Sequence, residues 1–144
     1  MIQAVVDVNV LISALVGPLG FSRRLLTAWE QGQFGLITAE GIITELDEKL
    51  RLPRIAKWLP DPEASRQWII HLLQSQSKVL FVSPHERQEV TGDPEDDLVL
   101  AAVRLGRADY FVTGDRELLD LQEYAGARMV SPRDFVAILE AQPP

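Results

Sequence analysis

Short β-branched apolar runs recur along this chain, each separated from the next by a stretch with helical apolar spacing, and this alternation restricts the fold more than any other feature. Residues 2–8, 34–38, 79–82, 109–113 and 127–130 have strand length and composition. Strands joined by helices run parallel, because right-handed crossovers return the chain to the same edge of the sheet, and the helices then cover both faces. The expected class is α/β, with helix, sheet and helix layers. Of the 144 residues 47% are apolar, which predicts one domain spanning 1–144 that buries roughly two-thirds of its unfolded surface.

The intervening segments carry their own start and stop signals. A first helical stretch contains Ser13 and Ala14 and ends at Gly17-Pro18-Leu19-Gly20. Ser22 is a candidate cap for the next helix, which carries Leu25, Leu26 and Trp29 on one stripe and stops at Gly32. Residues 40–50 place Ile42, Ile43, Leu46 and Leu50 on one face, and Pro53 breaks that helix. Asp61-Pro62 and Asp93-Pro94 each read as an N-cap followed by proline at the first helical position. A polar connection, 83–92, precedes the second of these. Leu118 and Leu119 mark a short helix, and Ser131-Pro132 opens the last one.

In a sheet of this kind, ligands bind beyond the carboxyl ends of the strands, near the point where strand order reverses. Asp7 ends the first strand and Asp115 follows the fourth. An acid that ends a buried strand must be paired, hydrogen-bonded or metal-bound. Asp115 is equally accounted for as a cap of the helix that begins at Arg116. Gly92-Asp93-Pro94-Glu95-Asp96-Asp97 sets four acids at the mouth of an apolar helix. Asp93 and Asp96 suit a helix start and the macrodipole favours the whole group, which leaves Asp97 unexplained on the face of Ala101. Glu45 shares its helix with Asp47 and Glu48, and spacing alone does not separate it from a solvated face.

An oxygen-only donor set suits a hard cation, Mg²⁺ or Mn²⁺. The chain has no cysteine, which excludes a disulfide scaffold, a thiolate zinc site and a cysteine nucleophile. His71 and His85 stand singly and read as structural or solvent-facing, and Trp29, Trp58 and Trp68 as packing residues. Gly17–Gly20 lacks the lysine and spacing of a phosphate loop. The formal charge of −7 argues against a broad basic nucleic-acid surface. Residues 1–60 are balanced, so the whole acidic excess falls in 61–144, which suits either a solvated acidic face or acids gathered for a purpose. The apolar opening lacks a basic leader and is interrupted by Asp7 and Asn9, and no apolar run approaches the ~20 residues of a membrane helix. A cytoplasmic protein away from membranes is expected.

Four blocks, in order, resemble the PIN domain (PilT N-terminus), a family of metal-dependent ribonucleases that includes the VapC-like toxins of toxin–antitoxin pairs. They are residues 4–14 around Asp7, residues 38–46 around Glu45, residues 93–102 around Asp97, and residues 108–119 around Asp115. Ala39 and Gly92 depart from the usual serine and basic residue, and neither change removes an acid. The resemblance implies a five-stranded parallel sheet in order 3-2-1-4-5, with the first and fourth strands adjacent. It also implies that Asp7, Glu45, Asp97 and Asp115 bind one or two Mg²⁺ or Mn²⁺ ions for endonucleolytic hydrolysis of RNA, leaving 5′-phosphate and 3′-hydroxyl ends. Asn9 and Thr113 are candidates to orient these carboxylates or a water, and Asp93 to stand in an outer shell.

RNA contacts are assigned to Arg23, Arg24, Arg51, Arg54, Lys57 and Arg116. The basic, apolar stretch 49–58 reads equally as a solvated helix end or as a surface for an antitoxin or a second copy, making a homodimer or higher homo-oligomer. Two other readings remain open at this level. A haloacid-dehalogenase-like phosphatase fits Asp7 and the run Gly114–Asp120. Such enzymes want a second aspartate two residues on, where this chain has Asn9, and a lysine just ahead of the late motif, whereas the last lysine is Lys78. A non-catalytic module that binds RNA or protein fits the same fold.

Overall fold

The computed structural model describes residues 1–143. The chain forms β1 (Gln3–Val6), α1 (Val8–Val16), α2 (Phe21–Glu30), β2 (Gly35–Ala39), α3 (Glu40–Leu50), α4 (Pro53–Ala56) and α5 (Pro62–Gln76). It continues through β3 (Lys78–Leu80), α6 (Pro94–Gly106), β4 (Tyr110–Val112), α7 (Arg116–Leu119), β5 (Glu123–Tyr124), β6 (Ala127–Val130) and α8 (Pro132–Glu140). The sheet order is β3-β2-β1-β4-β6-β5. The four parallel pairings expected of a five-stranded α/β sheet are present as a 3-2-1-4 run completed by β6, and β1 lies between β2 and β4. One correction applies to the strand count. A sixth strand, β5, pairs antiparallel with β6 through Tyr124 and Ala127, and at two residues it is too short to carry any periodic signal.

Ala4, Val5 and Val6 are all sealed from solvent, as a central parallel strand must be when helices cover both of its faces. Phe34, Phe111 and Phe135 are fully buried, each contributing on the order of 2 kcal/mol by removal from water. Phe135 of α8 meets Phe34 edge-on, with ring centroids 5.0 Å apart, and Tyr110 at 5.6 Å.

The local cap and breaker signals are realised unevenly. Asp61, Asp93, Asp115 and Ser131 cap their helices through the side chain. Ser22 does not cap α2, whose N-cap is Gly20. Pro53 breaks α3 but also begins α4, since proline is suited to a first helical turn. Within 83–92 a 3-10 turn forms at Pro84–Glu86. Among the described residues no single helix is long and apolar enough to cross a membrane.

Arg107 ends α6 in the left-handed region, at φ 53°. A side chain there costs roughly 1 kcal/mol, and glycine is the usual solution. Arg107→Gly therefore raises unfolding free energy by about 0.5–1 kcal/mol in urea titrations, after allowing for the freedom glycine adds to the unfolded chain. A loss of stability would show that the Arg107 side chain contributes more than its backbone strain costs.

Candidate active site

Asp7 leaves β1 and opens α1 as its N-cap residue, yet its carboxylate makes no capping bond. Aspartate at an N-cap ordinarily accepts from the N2 or N3 amide. Here Oδ2 instead accepts from the Thr113 hydroxyl at 2.7 Å. Thr113 is fully buried, and its Oγ1 accepts the Asp115 amide at 3.0 Å. The pairing of β1 with β4, which sets Val6 opposite Val112, brings these residues together. Thr113, one of the two residues the sequence offered for orienting a carboxylate or a water, thus bonds Asp7 directly. Asp7, Asn9, Ser13, Gly114 and Asp115 line a crevice of about 340 Å³. Asp115 is exposed, and its Oδ1 accepts the Glu117 amide at 2.9 Å, so it caps α7 while bordering the crevice.

Glu45 projects from the middle of α3, with its side chain 12% exposed and its Oε2 3.2 Å from Lys49 Nζ. Lys49 also stands 3.6 Å from Glu95 in the first turn of α6. Gly41 allows α3 and α6 to approach, because a Cβ there would lie 2.8 Å from Leu98 Cδ2.

The acids at the start of α6 have separate tasks. Asp93 caps the helix, its Oδ1 accepting the Glu95 and Asp96 amides at 2.9 and 3.4 Å. Asp97 is buried, and its Oδ1 accepts the Val90 amide at 3.2 Å, the Thr91 amide at 2.9 Å and the Thr91 hydroxyl at 2.9 Å. These bonds hold the Asp97 carboxyl below its ordinary range. Arg104 grips the same connection through the Glu86 carbonyl. Asp97 thus lies on the inward face predicted for it and anchors the 83–92 segment from there. Asp96, its neighbour, is only partly buried. Partial burial, and then the charges of Asp93, Asp7, Asp115 and Asp97, push its carboxyl up to about 6.

Asp7 is also raised, chiefly by burial. The Thr113 bond and the Lys49 charge oppose that rise, and Asp115 adds to it. Burial raises Glu45 as well, against the pull of Lys49, with Glu95 and Asp7 adding to the rise. Asp7 is thus flanked by the fields of Asp96 and Asp115 and by the Glu45–Lys49–Glu95 group. In the sequence Asp96 reads as a helix-start residue and Lys49 as part of a basic run. Nothing in the sequence connects Lys49 with Glu95. Asp96, one step from Asp97, was within reach of the same acidic block.

The donor set is all oxygen and carries more negative charge than its one close ammonium offsets. Among the described residues no three of His, Asp and Glu close round a single point. Mg²⁺ commonly takes one or two protein carboxylates and keeps several waters, so the residues present fit a hard divalent ion held partly through water.

None of the basic candidates lines the crevice. Arg23 and Arg24 border a separate depression between α2 and α8. Arg24 pairs with Glu140 and lies over the Phe21 ring, Arg51 is 3.3 Å from Asp47, and Lys57 lies over Trp58. Arg116, next to Asp115, and Arg54 form no ion pair among the described residues.

A family model described as "PIN domain" matches residues 3–117. The uncharacterized protein MJ1680 of Methanocaldococcus jannaschii is 27% identical over 123 residues, covering 85% of this chain and 76% of its own. The crystal structure of PAE2754 from Pyrobaculum aerophilum superposes with a TM-score of 0.63 at 22% identity, covering 98% of this chain and 91% of that one. VapBC2 from Rickettsia felis, solved bound to a DNA fragment from their promoter, superposes with a TM-score of 0.59 at 12% identity, covering 90% of this chain and 98% of its own. At these identities the two structures establish likeness of fold.

Proposed function

Because the chain belongs to the PIN domain family, we propose that it is a divalent-metal-dependent endoribonuclease, acting in the cytoplasm as the toxin of a toxin–antitoxin pair. The observation that carries the reading is Asp7, a buried N-cap aspartate whose carboxylate is withheld from capping and oriented by Thr113 into a crevice shared with Asp115. PIN domains are generally nucleases. The fold likeness to VapBC2 supports the toxin–antitoxin setting and a protein antitoxin as partner.

In this reading Asp7, Glu45, Asp96 and Asp115 hold one or two Mg²⁺ or Mn²⁺ ions, directly or through water, while Asp97 keeps the neighbouring segment in place. When bound, the ion lowers the pKa of a water and offsets charge on the phosphate oxygens. Thr113 fixes Asp7 so that little reorganisation accompanies binding. Asn9 borders the same crevice, where its amide can hold a water or a phosphate oxygen, and Asp93 adds negative charge from the rim. Arg116 is the best placed of the basic residues to meet a substrate phosphate.

A mixed RNA pool incubated with Mn²⁺ is expected to be cut to fragments with 5′-phosphate ends. EDTA and the Asp7→Asn substitution should each abolish cutting. Equal cutting by wild type and Asp7→Asn would assign the activity elsewhere. Uncut RNA alongside hydrolysed phosphomonoester would overturn the nuclease reading in favour of a phosphatase.

A further inference from the structure

Lys49 sits in the last turn of α3, within 4 Å of two carboxylates on different helices. Its Nζ is 3.2 Å from Glu45 Oε2, one turn earlier on α3, and 3.6 Å from Glu95 Oε2 on α6. The two contacts differ in setting. The Glu45 side chain is 12% exposed and Glu95 is 59% exposed, so Glu45 depends on the ammonium while Glu95 has water. Exposed ion pairs contribute little, but removing the partner of a largely buried carboxylate is costly. The Lys49 charge also reaches Asp7, so one ammonium acts on two of the four proposed metal ligands.

We propose that Lys49 is an internal counter-ion that satisfies Glu45 in the metal-free protein and competes with a divalent ion for that carboxylate, thereby setting the metal affinity of the site. The inference rests on the metal-site reading above. A hard cation approaching Glu45 meets an oxygen already engaged by an ammonium and is repelled by the same positive charge. Glu95 gives Lys49 a second partner already within ion-pair range, so the ammonium stays paired when Glu45 turns to the ion. Lys49 is accordingly a positioning residue that acts through Glu45, and it weakens resting metal binding while stabilising the empty crevice.

The test compares wild type with Lys49→Gln, Lys49→Met and Lys49→Arg, measuring Mn²⁺ binding by calorimetry and by the electron paramagnetic resonance signal of free Mn²⁺. Melting temperatures are recorded in EDTA and in saturating Mn²⁺. Lys49→Gln and Lys49→Met should bind Mn²⁺ about tenfold more tightly, the scale of a unit charge acting on a divalent ion at close range. Both should melt lower than wild type in EDTA and show a larger rise with Mn²⁺, whereas Lys49→Arg should stay within about twofold of wild-type affinity. Methionine keeps most of the lysine stem's packing, so it supplies the answer if the glutamine variant folds poorly. Unchanged or weaker Mn²⁺ binding in the neutral variants, or an equal melting loss with and without Mn²⁺, would overturn the proposal and leave Lys49 a helix tie. Weakened RNA binding in EDTA at unchanged Mn²⁺ affinity would overturn it in favour of a phosphate contact. Folded wild type that binds no Mn²⁺ would instead remove the metal-site reading on which it stands.

Discussion

Asp96→Asn abolishes metal-dependent cleavage and leaves the protein at least as stable as wild type, while Asp97→Asn retains cleavage and Asp97→Ala loses about 2 kcal/mol of stability. The two aspartates are adjacent, yet their surroundings differ in kind. Asp96 feels the charges of Asp93, Asp7, Asp115 and Asp97, and its carboxyl is pushed to about 6. A neutral amide there relieves repulsion among acids and removes one of the proposed ligands. With one carboxylate of a small set missing, loss of roughly a thousandfold or more in rate is expected, the scale seen when a preorganised charge is deleted from a reaction centre. Asp97 accepts three bonds from Val90 and Thr91 on a single oxygen. Asparagine keeps an acceptor oxygen at that position, so the bonds persist in weaker, uncharged form. Alanine leaves two amides and a hydroxyl to find water, and hydrogen bonds to a charged group contribute about 1.5–3 kcal/mol. Cleavage rates on the RNA pool and urea titrations of the metal-free proteins separate the cases. Cleavage surviving in Asp96→Asn but lost in a folded Asp97→Asn would reverse the assignment.

That pair also marks where the sequence stops being informative. Asp7 was legible because an acid at the end of an apolar strand has few harmless explanations, and the neighbouring β1 and β4 put Asp115 and Thr113 beside it as parallel topology required. Glu45 was selected only by family resemblance, since Asp47 and Glu48 on the same helix offered identical chemistry. At the head of α6 the helical period placed Asp97 inward, which is correct. The inward face there is closed by the 83–92 segment, whose bonds to Asp97 no pattern reveals. Adjacent positions on a helix point about 100° apart, so neighbouring acids in a block of four meet different surroundings, as the buried Asp97 and the partly buried Asp96 do. Lys49 was hidden for a similar reason. Its partner Glu95 lies on another helix, and the close approach of α3 to α6 at Gly41 becomes visible only once both are placed. The two-residue β5 and the helical turn after Pro53 are too short for periodicity to register.

The concentration of acid has a measurable consequence for stability: in EDTA, unfolding free energy falls as pH rises from about 4 to about 6, and saturating Mn²⁺ reverses that slope. The direction follows from proton linkage. Asp96, ordinarily near 3.8, is pushed to about 6 in the folded protein, and Asp7 and Glu45 are raised as well. Within that window the folded chain holds more protons than the unfolded chain, so raising the pH favours unfolding until these groups have ionised in both states. Asp97 works in the opposite sense. Its carboxyl is held below its ordinary range, so its stabilisation is complete above pH 4 and is lost only as the pH drops further. Metal-free protein should therefore be most stable in mildly acid solution. A divalent ion binds the ionised carboxylates, so its stabilisation grows over the same interval in which the empty site loses it, reaching about 2.7 kcal/mol when the free ion is at a hundredfold its Kd. Urea titrations at half-unit pH steps, with EDTA and with Mn²⁺, measure both slopes. Asp96→Asn should flatten the metal-free decline and remove most of the Mn²⁺ gain. A metal-free stability that climbs steadily from pH 4 to 7 would mean that Asp7, Glu45 and Asp96 do not share the field described here, and the case for a common metal site would fall with it.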